Sequence, residues 1–424
     1  MSPLRTALRD KFSRDVLWNV VSLVVAGVCG LGVNYVVGQV YGASGLGVFN
    51  QVFAVYIVAS QLAILGLQSS VLAHVAVDRP EGELRAVVTT GFGLAALAAL
   101  AVTALFVASA GPIARWLDSP DVAVGILWAA PGLVCFTLNK IVLATMNGLR
   151  RMRPYALFQG GRVVLMAVGL AVCGLAGAPR TALPVILTIA EASTLLLSIG
   201  VILPYLGRVP RAQLALWTGK HARYAVRGAA SGLFTELNNR IDVIILGRFV
   251  SDASVGAYSM AQLAAEGVSQ LLVALRINYA PVIVRLHAAG DRDEITRVVR
   301  TGKRRIYLGA LVVGVLSVAG YALVMNVFSR DPVLAHSWIL FAIVLGGWVV
   351  SAGYVPFNQM LLWTHLPGWH TVLVGLIVIS SVVADVLLSS RYGALGAAWA
   401  TAITCATAAL FWRAFVRKLL DLRL

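Results

Sequence analysis

Residues 236–270 read ELNNRIDVIILGRFVSDASVGAYSMAQLAAEGVSQ. The stretch has the pattern of the second half of one apolar helix, a short turn, and the first half of another. Yet it carries Glu236, Asn238, Asn239, Arg240 and Asp242, then Gln262, Glu266 and Gln270. An ionised side chain at mid-bilayer costs about 3 kcal/mol on insertion scales, so such residues are kept where they face a cavity or a partner. No other stretch of the chain sets so many polar groups where lipid should be.

The surrounding chain is what makes them conspicuous. Of 424 residues, 59% are hydrophobic and 12% charged, against roughly 25% charged in an ordinary soluble domain. This predicts an all-α polytopic membrane protein. Long apolar runs joined by short loops mean helices, because every backbone group must be bonded inside the element that crosses the hydrocarbon. The weak alternation of an outer-membrane barrel is absent. Twelve spans follow: 15–40, 47–77, 86–110, 121–147, 155–177, 181–206, 222–250, 255–286, 303–328, 334–363, 367–390 and 394–417. Residues 1–206 form one expected six-helix bundle, 207–221 a cytoplasmic linker, and 222–424 a second bundle.

The net charge of +16 suggests nucleic acid until its location is counted. With the N-terminus inside, 24 of the 34 Lys and Arg fall on the cytoplasmic side, 5 on the other and 5 within spans. Such a bias sets both termini inside by the positive-inside rule. It accounts for the basic character with no nucleic-acid partner, and the loops lack the interleaved aromatics that stack bases. The four cysteines, Cys29, Cys135, Cys173 and Cys405, sit in apolar runs as packing residues. Residues 1–14 are polar and basic ahead of a full-length span, which predicts a retained anchor rather than a cleaved signal.

A shift of 209 residues lays GQVYGASGLGVF (38–49) on GRFVSDASVGAY (247–258), and Ser60-Gln61-Leu62 on Ser269-Gln270-Leu271. Gly38 meets Gly247 and Gly47 meets Gly256. Both copies cover the first outer turn and following helix of a six-span half. Parallel six-span repeats are a transporter arrangement, with substrate held near the midplane at the repeat interface.

A first span carrying Asn19 and ending in GQVYGASGLGVF, a seventh reading RIDVIILGRF followed by VGAYSMAQ, and a closing GALGAAWATAIT together resemble a known group. It is the polysaccharide-transport branch of the multidrug/oligosaccharidyl-lipid/polysaccharide (MOP) exporter superfamily, whose members handle precursors of O-antigen, lipopolysaccharide and exopolysaccharide. The resemblance covers the whole chain. It implies two six-helix bundles, spans 1, 2, 7 and 8 lining a central cavity, and alternating access. It also implies that undecaprenyl-diphosphate-linked oligosaccharide is moved to the outer leaflet of a bacterial inner membrane. Membrane lipids and glycan-synthesis proteins are the other expected partners.

No catalytic set, phosphate-binding loop or cofactor motif is present. The six histidines (His74, His221, His287, His336, His365 and His370) scatter near span ends, with no metal-ligand spacing. The expected site is therefore a binding surface of Arg240, Arg276, Glu236, Glu266, Gln270, Gln61 and Asn34. Glu236 and Arg240 are i,i+4 on one helix face, and Arg240 and Glu266 lie at equal depth on antiparallel spans, so either carboxylate can pair with Arg240. Gln262, Glu266 and Gln270 form an i,i+4,i+8 stripe. Two accounts compete: mutually neutralised pairs that hold the C-terminal bundle, or arginines presented to a diphosphate, which a guanidinium fork matches in geometry. Asp242 points about 200° from Arg240, into its own bundle. Lys140 and Arg162 are expected to pair with Glu191 or to snorkel to the surface, and Asp385 and Arg227 to be structural. Asn34, Gln61 and Gln68 suit a sugar or head group, with small-residue packing as the competing account. Pro131-Gly132 and Pro356 mark bends or packing points. The rival readings are a multidrug or cation antiporter of the same superfamily, a lipid II flippase, and a membrane scaffold for glycan synthesis.

Overall fold

The computed structural model describes residues 3–77, 79–364 and 366–422, without the side chains at 3–17, 19, 20, 226–232, 235, 277 and 367; Asn19, Arg227 and His365 lie outside the described residues. The chain is all-helical, with no strand among the described residues. The run Pro3–Ile64 bends at Gly42 (φ 73°) into α1 (3–41) and α2 (43–64). There follow α3 (Glu81–Ala108), α4 (Pro120–Gly148), α5 (Met152–Leu175), α6 (Val185–Ile202), α7 (Arg211–Gly247), α8 (Asp252–Ala288), α9 (Arg292–Phe328) and α10 (Ser337–Ser351). The run Pro367–Leu420 bends at Gly393 (φ 58°) into α11 (367–392) and α12 (394–420). A left-handed backbone is reached cheaply only by glycine, so both hairpin turns are written into the sequence at these two positions.

Nine helices among the described residues are long and apolar enough to cross a membrane. Two of these are the runs bent at Gly42 and Gly393, each two crossings. The charged α7, 37 residues long, completes the twelve-helix arrangement. Two predicted spans are broken. The second ends at Ile64, where Leu65 (φ 41°) and Gly66 (φ 78°) turn the chain before a short helix, Leu67–Val75. The tenth ends at Ser351, and Pro356 sits in a 3-10 turn, Val355–Phe357, ahead of Met360–Trp363. Pro356 therefore does mark a break. Pro131 does not, since α4 runs through it. The expected linker is also largely helical, because α7 begins at Arg211.

The chain divides into two compact units, residues 1–40 with 52–236, and residues 41–51 with 237–424. In the first, α4 is the central helix and packs on α3, α5 and α6. Its core gathers Ile64, Val71, Val87, Ile141, Met146 and the fully buried Trp217. In the second unit α10 is central and packs on α8, α9 and the Pro367–Leu420 run. Its core includes Ile283, Val299, Phe357, Leu361 and Trp412. The fourth helix of each half is thus the axis of its own unit. Both use a glycine there: a Cβ on Gly132 would strike the backbone of Thr188, and one on Gly347 the backbone of Ala402. Small residues let helices approach where lipid offers no hydrophobic drive for association. Leu97, Leu105, Leu308 and Leu316 stand more than 60% exposed, the faces that meet hydrocarbon.

Candidate functional site

The seven expected site residues divide between the units. Asn34, Gln61 and Glu236 belong to the first, and Arg240, Glu266, Gln270 and Arg276 to the second. Asn34 is buried, and its amide donates to the Gly30 carbonyl one turn back at 3.0 Å. Gln61 and Glu236 are half-buried. Arg240 and Arg276 are half-buried on α7 and α8, and Arg276 reaches the amide oxygen of Asn358 at 3.5 Å. On α8 the polar stripe runs from the buried Gln262, whose amide lies 3.5 Å from the half-buried Glu266, to the exposed Gln270. The stripe therefore passes from protein interior to an open surface along one helix face.

Beside it, Asp242 turns inward. Its carboxylate accepts from the Tyr258 hydroxyl at 2.7 Å and from the Val243 amide at 2.8 Å, and Tyr258 lies 2.9 Å from the Thr401 hydroxyl. Asp385 on α11 is 1% exposed, with Ser381 3.3 Å from one carboxylate oxygen and no partner for the other. Among the described residues no ion pair reaches either acid. The charge of Arg240 acts on Asp242, while Asp385 has the Ser381 hydroxyl. Buried carboxyl groups are costly as bare anions, and the chemistry this pair supports is to share a proton or hold a small cation by oxygen ligands. No cluster of three or more His, Cys, Asp or Glu occurs among the described residues.

The first unit holds a charge group of its own. Arg162 stands 3.5 Å from Glu191, which also accepts from Asn139 at 2.9 Å. Lys140 donates instead to the Ser60 hydroxyl at 3.1 Å. Both cations lie over one ring, Phe136, with Lys140 Nζ at 4.5 Å and the Arg162 guanidinium carbon at 4.8 Å from its centroid. Phe136 stacks on Tyr56 at 5.6 Å. Cation–π contact with Phe136 helps hold the two positive charges close, and Glu236 acts on Lys140 electrostatically alongside Glu191.

Sequence reasoning missed one further cluster. His221 is fully buried in the first part of α7, with Nδ1 2.8 Å from the Ser70 hydroxyl and Nε2 3.1 Å from the Val87 carbonyl. The His74 ring is 5.8 Å away, and Trp217 packs on both. Arg79 and Lys220 lie over Trp217 at 5.0 and 4.1 Å. The signal available was the spacing of Trp217 and His221, i and i+4 on one helix face, in a segment taken for a loop.

Apolar helices long enough to cross a membrane, set in two similarly built units, make this a multi-pass membrane fold. The chain belongs to the family described as "Polysaccharide biosynthesis protein", whose model matches residues 12–287. Among solved structures it is similar to a lipid II flippase MurJ in an inward closed conformation. That likeness has a TM-score of 0.73 at 12% identity, over 95% of this chain and 87% of the other. It is also similar to a multidrug resistance MATE family transporter in an inward-facing conformation, with a TM-score of 0.69 at 13% identity, over 97% and 96% of the two chains. A MOP superfamily transporter from Pyrococcus furiosus matches with a TM-score of 0.54 at 12% identity, over 96% and 93%. No curated protein matches the sequence significantly.

Proposed function

We propose that this protein is a flippase that carries lipid-linked oligosaccharide, a polysaccharide precursor, to the outer leaflet of a bacterial inner membrane. It works by alternating access with both termini cytoplasmic. Membership of a polysaccharide biosynthesis family supports a glycan pathway, and the shared fold supports a flippase or transporter over an enzyme. The observation that carries the reading is the pair Arg240 and Arg276, half-buried cations on the consecutive helices α7 and α8. A guanidinium grips phosphate oxygens through parallel N–H donors, and its weak hydration lowers the cost of holding it within the membrane. Glu236, Glu266, Gln270, Gln61 and Asn34 supply the remaining polar contacts for a diphosphate and its first sugars.

Deletion of the gene, complemented by wild type or by Arg240→Ala and Arg276→Ala, tests this reading. The expected outcome is lipid-linked oligosaccharide accumulating on the cytoplasmic leaflet in the deletion and in both variants. Unchanged surface glycan in the deletion strain overturns it.

A second reading, a cation-coupled antiporter of drugs, is favoured by the Asp242–Tyr258–Thr401 chain with Asp385 nearby. Raised drug sensitivity of the deletion strain, with normal surface glycan, is the outcome that selects it.

A further inference from the structure

Helices α8, α9 and α10 enclose a cavity of about 490 Å³ within the second unit. Its walls are apolar, led by Leu271, Leu272 and Leu275 of α8, Val313 of α9 and Trp348 of α10, while Arg305 stands at one end. Leu271 is 59% exposed and Val313 36%, so the cavity opens on the side where hydrocarbon lies. Its polarity is one-ended: Arg305 adjoins Lys303 and Arg304 at the basic end of α9, which the charge bias sets at the cytoplasmic boundary. Among the described residues Arg305 makes no ion pair. No water fills an apolar space at this depth, and an empty one forfeits the dispersion contacts of its lining.

The depth of the cavity identifies what fits. From Arg305 to Val313 is eight residues, or about 12 Å of helix, and from Val268 to Tyr279 eleven residues, or about 16 Å. One leaflet of a hydrocarbon core ~30 Å thick is about 15 Å deep. The cavity thus runs from the basic boundary to the bilayer middle and no further.

We propose that it is a binding site for an anionic phospholipid of the cytoplasmic leaflet, one acyl chain lying along Leu271–Leu275 and Val313 and the phosphate on Arg305. An acyl chain ends at mid-bilayer as the cavity does; an undecaprenyl chain is several times longer. The site is independent of which glycan the protein carries.

Gly309 supplies a clean way to close it. A Cβ there meets nothing within 4 Å, so Gly309→Leu adds bulk into open space on the cavity wall and replaces a helix-interior glycine with a better helix former. The full chain is placed in phosphatidylcholine vesicles containing either brominated phosphatidylglycerol or brominated phosphatidylcholine. Quenching of Trp348 is read as the difference between wild type and Trp348→Phe. Brominated phosphatidylglycerol is expected to quench at a several-fold lower mole fraction than brominated phosphatidylcholine. Arg305→Gln removes that preference, and Gly309→Leu, melting as wild type does, reduces quenching by both lipids. Equal quenching by the two lipids, or a preference that survives Arg305→Gln, overturns the proposal and leaves ordinary annular contact. Displacement of brominated phosphatidylglycerol by polyprenyl phosphate more readily than by unlabelled phosphatidylglycerol overturns it in favour of the isoprenoid carrier.

Discussion

Gly47 and Gly256, 209 residues apart, make reciprocal contacts in the second unit: a Cβ on Gly47 would collide with the Asp252 carbonyl, and one on Gly256 with the Ala43 carbonyl. Ala43 and Asp252 are themselves separated by 209. The same pair of backbone contacts is thus made twice, once in each direction, as at an isologous interface between two copies. Neighbouring bonds tie the region further. Gln51 donates to Asp252 at 2.8 Å, and the Ala43 amide donates to Asp331 at 2.7 Å beside the turn at Gly42.

Gly47→Ala and Gly256→Ala therefore each press a methyl group into backbone that cannot rotate aside. Each is expected to cost about 1–3 kcal/mol, the range for overpacking a tight contact. Melting of purified protein in detergent checks this, with Gly309→Ala as the unhindered control expected to match or exceed wild type.

Arg240 and Arg276 test what recognises the diphosphate. Replacing either by Ala is expected to reduce surface glycan about tenfold or more, the loss of one charge-assisted contact of ~1.5–3 kcal/mol. Lys restores part of the loss at a site needing charge alone and little at a site needing a bidentate fork. Membrane insertion, checked by the amount of protein in the membrane fraction, stays normal.

Asp242→Asn separates structure from coupling. Tyr258 can turn its hydroxyl proton to Thr401 and accept from the new amide, so the variant is expected to melt within a few degrees of wild type. Transport that depends on a proton or cation held at Asp242 and Asp385 is expected to fall sharply in the same variant. Equal loss of stability and transport assigns the residue to packing.

His221 gives a pH dependence. Burial, opposed by the Val87 carbonyl and aided by the neighbouring His74, pushes its imidazole down to about 4, below the ordinary value of about 6.5. Below that ordinary value the unfolded chain takes up the proton and the folded one does not. Stability is therefore undiminished above pH ~6.5 and declines as pH falls toward 4. His221→Gln is expected to flatten the melting temperature between pH 7.5 and 5 while lowering it at pH 7.5.

Most of the architecture is legible because the bilayer removes choices. Apolar run length gives the spans, and Gly42 and Gly393 are glycines where the hairpins need positive φ. The identity of Gly47 with Gly256 marked the repeat, but not that the two copies meet there. Pro356 announced the break after Ser351, whereas the turn at Leu65–Gly66 had only one glycine to betray it. The charged groups were legible as residues requiring partners, but not as to which partners. Lys140 finds Ser60, and His221 finds Ser70 and Val87, across separations of 80 to 151 residues that no periodicity encodes.

The most direct measurement of the central claim uses purified protein in vesicles whose outer leaflet is loaded with fluorescent undecaprenyl-diphosphate-linked oligosaccharide. A membrane-impermeant reductant added at intervals reports how much has crossed. The account predicts that wild type protects the lipid progressively and that Arg240→Ala and Arg276→Ala protect it no faster than empty vesicles. Crossing by wild type at the rate of empty vesicles would contradict it.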